Sequence, residues 1–333
     1  MVKNSPASAT SGAQNRSPAD KCGVSAVVPA TSKRENRGAS SSPTSVIIVL
    51  GDIHGHAVLL DRFLDGAQRQ GWIDGAGLLA ADTRMVFMGD FIDRGTQSRR
   101  VIERVLALCE ANPGRVHGLL GNHEMLALAS LAVARELAHN GGGEDEYAWT
   151  PHGREGGWQL VREFGGLRDY VEAMRADAPI GGFLRSLDPA LDLVCGDSRV
   201  LFVHAGIPRR IRHRADLDTE VEHLRALIRD EAALASPSFN VQQDPHTGEN
   251  SLLGDRSIPR RRRIGVDHLP ASLDVDIIII GHTRHDRITR YGSSIYAVDV
   301  SGQPDLTALF LRAGQTPQVF GKGLAPGGKI HSP

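Results

Sequence analysis

Five short segments of this 333-residue chain combine glycine with residues that can hold a cation. They are Gly51-Asp52-Ile53-His54-Gly55, Gly89-Asp90-Phe91-Ile92-Asp93-Arg94-Gly95, Gly121-Asn122-His123-Glu124, His204-Ala205-Gly206 and Gly281-His282-Thr283. Carboxylate and neutral imidazole are ligands for Mn, Fe or Zn, whereas an all-oxygen set would suit Mg or Ca. A carboxylate can bridge two ions, and glycine lets the backbone turn sharply beside them. Two ions about 3.5–4 Å apart form a clamp for in-line displacement at phosphorus. A single Gly-Asp is ordinarily a turn, and a single histidine is ordinarily surface or core. Five such segments in series are not accounted for one at a time. The ten other histidines among the fourteen are read as structural or solvent-facing.

Each segment follows an apolar run of strand length, at 45–50, 84–88, 115–120, 199–203 and 276–280. Helical periods come after several of them. Leu59, Leu60, Phe63, Leu64 and Ala67 make one apolar face, and Val101, Ile102, Val105, Leu106 and Cys109 make another. Residues 125–137 read as one largely buried helix. The last strands are expected at 294–300 and 306–312, joined by the turn Gly302-Gln303-Pro304-Asp305. Alternating strands and helices predict an α/β architecture, with helices covering sheet faces. In such sheets ligands gather beyond the carboxyl ends of the strands, where all five segments lie. Residues 139–195 read as an insertion, mainly helical, that forms a cap.

The length alone suggests two domains, but it is unevenly spent. Residues 1–44 have no hydrophobic period and carry six basic against two acidic residues, a charge of +4 that leaves the remainder at −5. Such a segment buries too little apolar surface to offset its chain entropy and is expected to be a disordered tail. Its basic, Ser-rich character is compatible with an organelle transit peptide by composition. Residues 313–333 are Gly/Pro-rich and are expected to form a second tail. One catalytic domain, 45–312, remains. With 41% hydrophobic and 23% charged residues, the chain is neither collagen-like nor wholly disordered. Its longest clean apolar runs, Val46–Leu50 and Ile277–Ile280, are far short of the ~18–20 residues a membrane span needs. A net charge of −1 argues against a generally basic nucleic-acid binder. Cys22, Cys109 and Cys195 are odd in number and far apart, as in a reducing compartment, so a cytoplasmic location is expected.

The ordered set GDIHG, GDFIDRG, GNHE, HAG and GHT resembles the calcineurin-like metallophosphoesterases, and more narrowly their phosphoprotein phosphatase branch. The resemblance spans about 46–310 and implies a β-sandwich of two sheets flanked by helices. It makes Asp52 and His54 ligands of a first ion, Asp90 a bridge, and Asn122, His204 and His282 ligands of a second. It makes His123 the general acid, oriented by Asp93, and Arg94 a phosphate-binding residue. The implied cofactor is a pair of divalent ions, with Mn expected and Fe or Zn also suited; such ions make hydroxide from a bridging water near neutral pH. Imidazolium can protonate a leaving alkoxide, and guanidinium matches the phosphate edge. A second phosphate-binding arginine is expected between the fourth and fifth motifs, and Arg256 is the candidate. The clusters Arg209, Arg210, Arg212, Arg214 and 260–263 read as solvated faces, without the interleaved aromatics of a nucleic-acid groove.

The segment Tyr296-Ala297-Val298-Asp299-Val300-Ser301-Gly302 departs from the Ser-Ala-Pro-Asn-Tyr loop of the eukaryotic protein phosphatases and looks more like bacterial or Shewanella-like members. The expected activity is hydrolysis of phosphomonoesters, most of all phosphoserine or phosphothreonine in a protein or peptide. A dinucleoside polyphosphate hydrolase is the rival on the same site; that group usually lacks the Asp of DRG and has GNHD, so Asp93 and Glu124 stand against it. The third reading is an inactive scaffold that binds phosphoproteins, which would usually have lost a ligand or the acid.

Overall fold

All four of Ile47, Ile48, Val49 and Leu50 are completely buried. A strand with both faces covered reads as an unbroken apolar run rather than an alternation. This is β1 (Val46–Leu50). It pairs in parallel with β2 (Thr83–Phe87), which pairs in parallel with β3 (Val116–Gly118). The computed structural model describes residues 45–236, 240–241, 250–260, 266–321, 326–328 and 330–332. The expected N-terminal tail, Cys22, and Arg261, Arg262 and Arg263 lie outside those residues.

The second sheet uses β4 (Ala190–Cys195), β5 (Ser198–Val203), β6 (Ile277–Ile280), β7 (Thr289–Tyr291) and β8 (Ile295–Ala297), in the order β4-β5-β6-β8-β7. The first is completed by β9 (Ala308–Arg312), β10 (Gln318–Phe320) and β11 (Pro326–Gly328), in the order β11-β10-β9-β1-β2-β3. The strand period of two sorts their side chains. Ile47, Val49, Val86, Phe202, Ile279 and Leu309 form one apolar cluster fed by both sheets. Ile48, Leu50, Met85, Phe87, Ile278 and Ile280 form part of the other, shared with the helices. Each such side chain contributes roughly 1.5–3 kcal/mol on full burial. The result is the two-sheet, helix-flanked α/β arrangement that the motifs implied.

Helices α1 (Ala57–Arg69) and α2 (Ser98–Ala111) follow β1 and β2 and bury the expected faces, except that Leu59, Leu64 and Leu106 are only half-buried. The single helix expected over 125–137 is two, α3 (Asn122–Ala129) and α4 (Leu131–His139), which meet at Ser130. There the Ser130 hydroxyl accepts the backbone N–H of His152 at 3.3 Å. The insertion continues as α5 (Glu144–Tyr147), a wide turn at Gly153–Gly157, α6 (Trp158–Glu163), α7 (Leu167–Ala173) and α8 (Pro179–Ser186).

Two expected boundaries are corrected. The insertion ends before 190, because β4 is an edge strand of the second sheet, with Leu191, Leu193 and Cys195 buried and Asp192 and Val194 exposed. The closing residues are not all tail. Gln318, Val319 and Phe320 pair with Phe310, Leu309 and Ala308, and Phe320 packs on Phe310 and Trp72 at ring separations of 4.2 and 5.3 Å. A partner strand and an aromatic pocket, both distant in sequence, override the local Gly/Pro composition. Among the described residues no helix is long and apolar enough to cross a membrane.

Candidate active site

Strands β1, β2 and β3 run parallel, as do β5, β6 and β8. All five motif segments therefore leave their sheets at carboxyl ends. The loops interlock through the backbone. Ile53 and His54 donate to the Asp90 carbonyl at 3.1 and 2.9 Å, and Gly281 donates to the His204 carbonyl at 2.6 Å. Asp52 Oδ1 accepts the His282 N–H at 3.2 Å, joining the two sheets. The turns are tight. Among the described residues six non-glycine residues have left-handed backbone, and five of them are His54, Asp90, Asp93, Arg94 and His282. Such conformations cost of order 1–3 kcal/mol each and persist where the surroundings impose them.

At the centre Asp90 is almost wholly buried. Its Oδ2 lies 3.7 Å from His54 Nε2 and 3.9 Å from His123 Nε2, while Oδ1 lies 3.4 Å from His204 Nε2. Asp52 Oδ2 is 3.8 Å from His54 Nε2, and Asn122 Oδ1 is 3.2 Å from His204 Nε2. Two triads each bring one donor atom per residue within 4.8 Å: His54, Asp90 and His123, and Asp90, His204 and His282. The second triad holds three of the four residues expected around the second ion, and the fourth, Asn122, lies against His204. In the first, His123 occupies the place expected for Asp52, which stands beside it against His54.

The donors fit a pair of cations. His54 and His204 donate through Nδ1 to the carbonyls of Ile92 and Met88 at 3.0 and 2.7 Å, which turns both Nε2 atoms to the centre; against its burial, Asp90 raises the His204 pKa to about 10, so an ion bound there would displace the Nε2 proton. Burial holds the His54 pKa down to about 4, against the pull of Asp90, and holds His282 down to about 2, with His204 adding to the effect. His54 and His282 are neutral imidazoles, the form that binds metal. Asp52 Oδ2 and Asp90 Oδ2 are buried and accept no hydrogen bond. Burial, then Asp299 and Asp90, push the Asp52 carboxyl well above its ordinary range. Buried carboxylates with open lone pairs are what bound cations would satisfy.

The two residues expected to act as the acid and its orienting partner are in contact. His123 Nδ1 donates to Asp93 Oδ2 at 2.7 Å. Burial opposes the charge on His123, but Asp90 and Asp93 outweigh it and raise its pKa to about 8. Arg94 reaches His54 Nε2 at 2.7 Å and His123 Nε2 at 3.2 Å, and Arg256 donates from Nε to His282 Nε2 at 2.9 Å. Two guanidinium groups thus flank the donors, and Arg256, matched only loosely by motif, is one of them. All ten expected residues meet in one connected cluster.

Three further residues in the cluster were given no role in the site by the sequence. Glu124, fully buried, accepts the N–H groups of Gly121, Asp90 and Phe91 and so fixes both loops. Asp299 is fully buried behind Asp52, with Oδ2 unpartnered. His152 bonds to Asp93. Elsewhere, Arg210 pairs with Glu220, and Arg214 with Asp192 and Asp218, so these two members of the basic run are engaged in ion pairs, while Arg209 and Arg212 are exposed.

Fold and donor set together define a metallophosphoesterase. The calcineurin-like phosphoesterase family matches residues 45–285, and the chain belongs to that family. Over 114 residues it is 32% identical to the serine/threonine-protein phosphatase 6 catalytic subunit of Drosophila melanogaster, spanning 34% of this chain and 31% of that one. Over 59 residues it is 41% identical to a symmetrical bis(5'-nucleosyl)-tetraphosphatase of Ralstonia nicotianae, spanning 18% and 20%. The chain thus aligns with under a third of either relative's length. A cold-active protein-tyrosine phosphatase from a psychrophilic Shewanella has the same fold, with a TM-score of 0.58 at 23% identity over 85% of this chain and 80% of that one.

Proposed function

We propose that the chain hydrolyses phosphomonoesters on protein side chains, phosphoserine and phosphothreonine foremost. The observation that carries this reading is the buried His123–Asp93 pair beside Arg94, with Arg256 at His282 in the same cluster. A serine or threonine alkoxide is a poor leaving group and needs a proton; a nucleotide phosphate leaves without one. Asp52, His54, Asp90, Asn122, His204 and His282 would hold two divalent ions, Mn first in expectation. When bound, such ions polarise the phosphoryl oxygens and acidify water.

The protein groups divide the remaining work. Arg94 and Arg256 grip phosphate oxygens and neutralise charge that grows in the transition state. His123 delivers a proton from Nε2 to the departing oxygen, while Asp93 fixes the ring through Nδ1 and favours its charged form. The segment shared with the Ralstonia tetraphosphatase motivates the rival, a dinucleoside polyphosphate hydrolase. Turnover by Mn2+-loaded protein on phosphoserine, phosphothreonine and phosphotyrosine peptides and on a dinucleoside tetraphosphate separates the readings. The phosphoserine and phosphothreonine peptides are expected to be the faster substrates. Faster cleavage of the dinucleotide overturns the proposal, and no turnover on any substrate leaves an inactive phosphoprotein-binding scaffold.

A further inference from the structure

The acid pair has a third member, supplied by the helical insertion. Asp93 is completely buried, and its two carboxylate oxygens are divided between two imidazoles: Oδ2 faces His123 Nδ1 at 2.7 Å and Oδ1 faces His152 Nε2 at 3.1 Å. On the far side of the His152 ring, Nδ1 lies 2.7 Å from the Tyr147 hydroxyl, itself 3.5 Å from that of Tyr170. All three of these insertion residues are completely buried, and burial raises the pKa of both phenols. Tyr147 therefore donates to Nδ1, which sets the His152 tautomer with its proton on Nε2, aimed at Asp93.

The surroundings are shaped to keep this contact. The Asp93 N–H donates to Ser98 Oγ at 3.0 Å, so backbone and both carboxylate oxygens are all held. Gly156, at φ 109°, lies over the left-handed Asp93 and Arg94; a Cβ there would come within 3.2 Å of Arg94 N. At Gly157 a Cβ would lie 2.3 Å from the His152 ring, so the ring's seat depends on that glycine.

We propose that His152 is a positioning residue for proton delivery: with Tyr147 behind it, it holds Asp93 so that Asp93 holds His123 with Nε2 toward the leaving oxygen. The insertion is then part of the catalytic apparatus and not only a cap. This rests on the phosphomonoesterase reading above, and the chemistry is proton transfer alone. His123 gives its proton to the leaving alkoxide and is reprotonated from solvent, while the proton on His152 stays in place.

The test compares Mn2+-loaded full-length wild type with His152→Ala, His152→Gln and Tyr147→Phe. The substrates are a phosphoserine peptide and the aryl ester p-nitrophenyl phosphate, whose leaving group needs little protonation. In His152→Ala, kcat on the peptide is expected to fall by about 10- to 100-fold with KM nearly unchanged. The aryl rate is expected to fall far less. His152→Gln, which keeps an N–H donor, is expected to recover part of the loss, and Tyr147→Phe to show a smaller loss of the same selectivity. Equal losses on both substrates, or no loss, in folded variants overturn the proposal; if His152→Ala does not fold, Tyr147→Phe decides by the same criterion. If wild type cleaves neither substrate, the phosphomonoesterase reading fails, and the His152 contact is then read by NMR. The downfield Nδ1 proton of His123 in the Zn2+-loaded chain is expected to shift or broaden in Tyr147→Phe, and an unchanged signal refutes the contact's influence.

Discussion

Asp90 stands among three imidazoles, with one oxygen toward His204 and the other toward His54 and His123. Although burial disfavours its charge, His204 and His123 keep its carboxyl well below the usual range. A charge so placed serves both triads, whereas His123, although its Nε2 faces Asp90, is held through Nδ1 by Asp93 and is not among the residues expected to bind an ion. The two residues therefore differ in what their loss does. Asp90→Asn is expected to lower bound metal measured by elemental analysis, and activity with it. His123→Asn is expected to retain metal while kcat on an alkyl phosphomonoester falls by about 10²–10⁴-fold. Wild-type turnover by His123→Asn would reject its role as the acid. At this scale nine of the ten expected residues were legible because five segments repeat one chemistry at one place in the fold; the tenth, Arg256, rested on the resemblance alone. His152 was not, since an isolated histidine carries no spacing; the glycines at 153, 156 and 157 were the only mark beside it.

Among the elements, β3 is short but costly to disturb. Its His117 is buried and Nε2 has no partner. Burial, aided by the nearby Arg84 charge, lowers its pKa from 6.5 to about 4. Between those values the unfolded chain binds a proton that the folded chain refuses. Stability therefore rises with pH through this window and is lost as pH falls from about 6.5 to about 4, by up to about 3 kcal/mol. Urea unfolding at pH 7 and pH 4.5 is expected to show a larger acid loss in wild type than in His117→Gln. An identical loss would show that His117 does not carry it. The β1, β2, β5 and β6 strands were legible from their apolar runs, because strands covered on both faces are apolar throughout. The break between α3 and α4 was not, since no glycine or proline marks Ser130, where His152 of the insertion makes its contact.

For the molecule as a whole, the chain's last strands close a sheet that its first strand opened: β9 pairs with β1, and β10 pairs with β9. Phe320 is only 5% exposed and sits against Trp72 and Phe310. Phe320→Ala is expected to cost about 3–5 kcal/mol, read as a fall in melting temperature, although the residue is remote from the site. A neutral effect would return this segment to the status of a tail. Three-residue strands carry too little periodicity to be recognised alone, and their partners are non-local, so composition misled at 313–333. The bond from His152 to Asp93 has a consequence for engineering and for descent. A helical segment inserted into a loop looks exchangeable, a module to be grafted between relatives to alter substrate choice. Here such a graft would also remove the partner of a buried carboxylate that aims the acid. Exchanges of this segment are therefore expected to succeed only when donor and recipient share a hydrogen-bond donor at the position of His152.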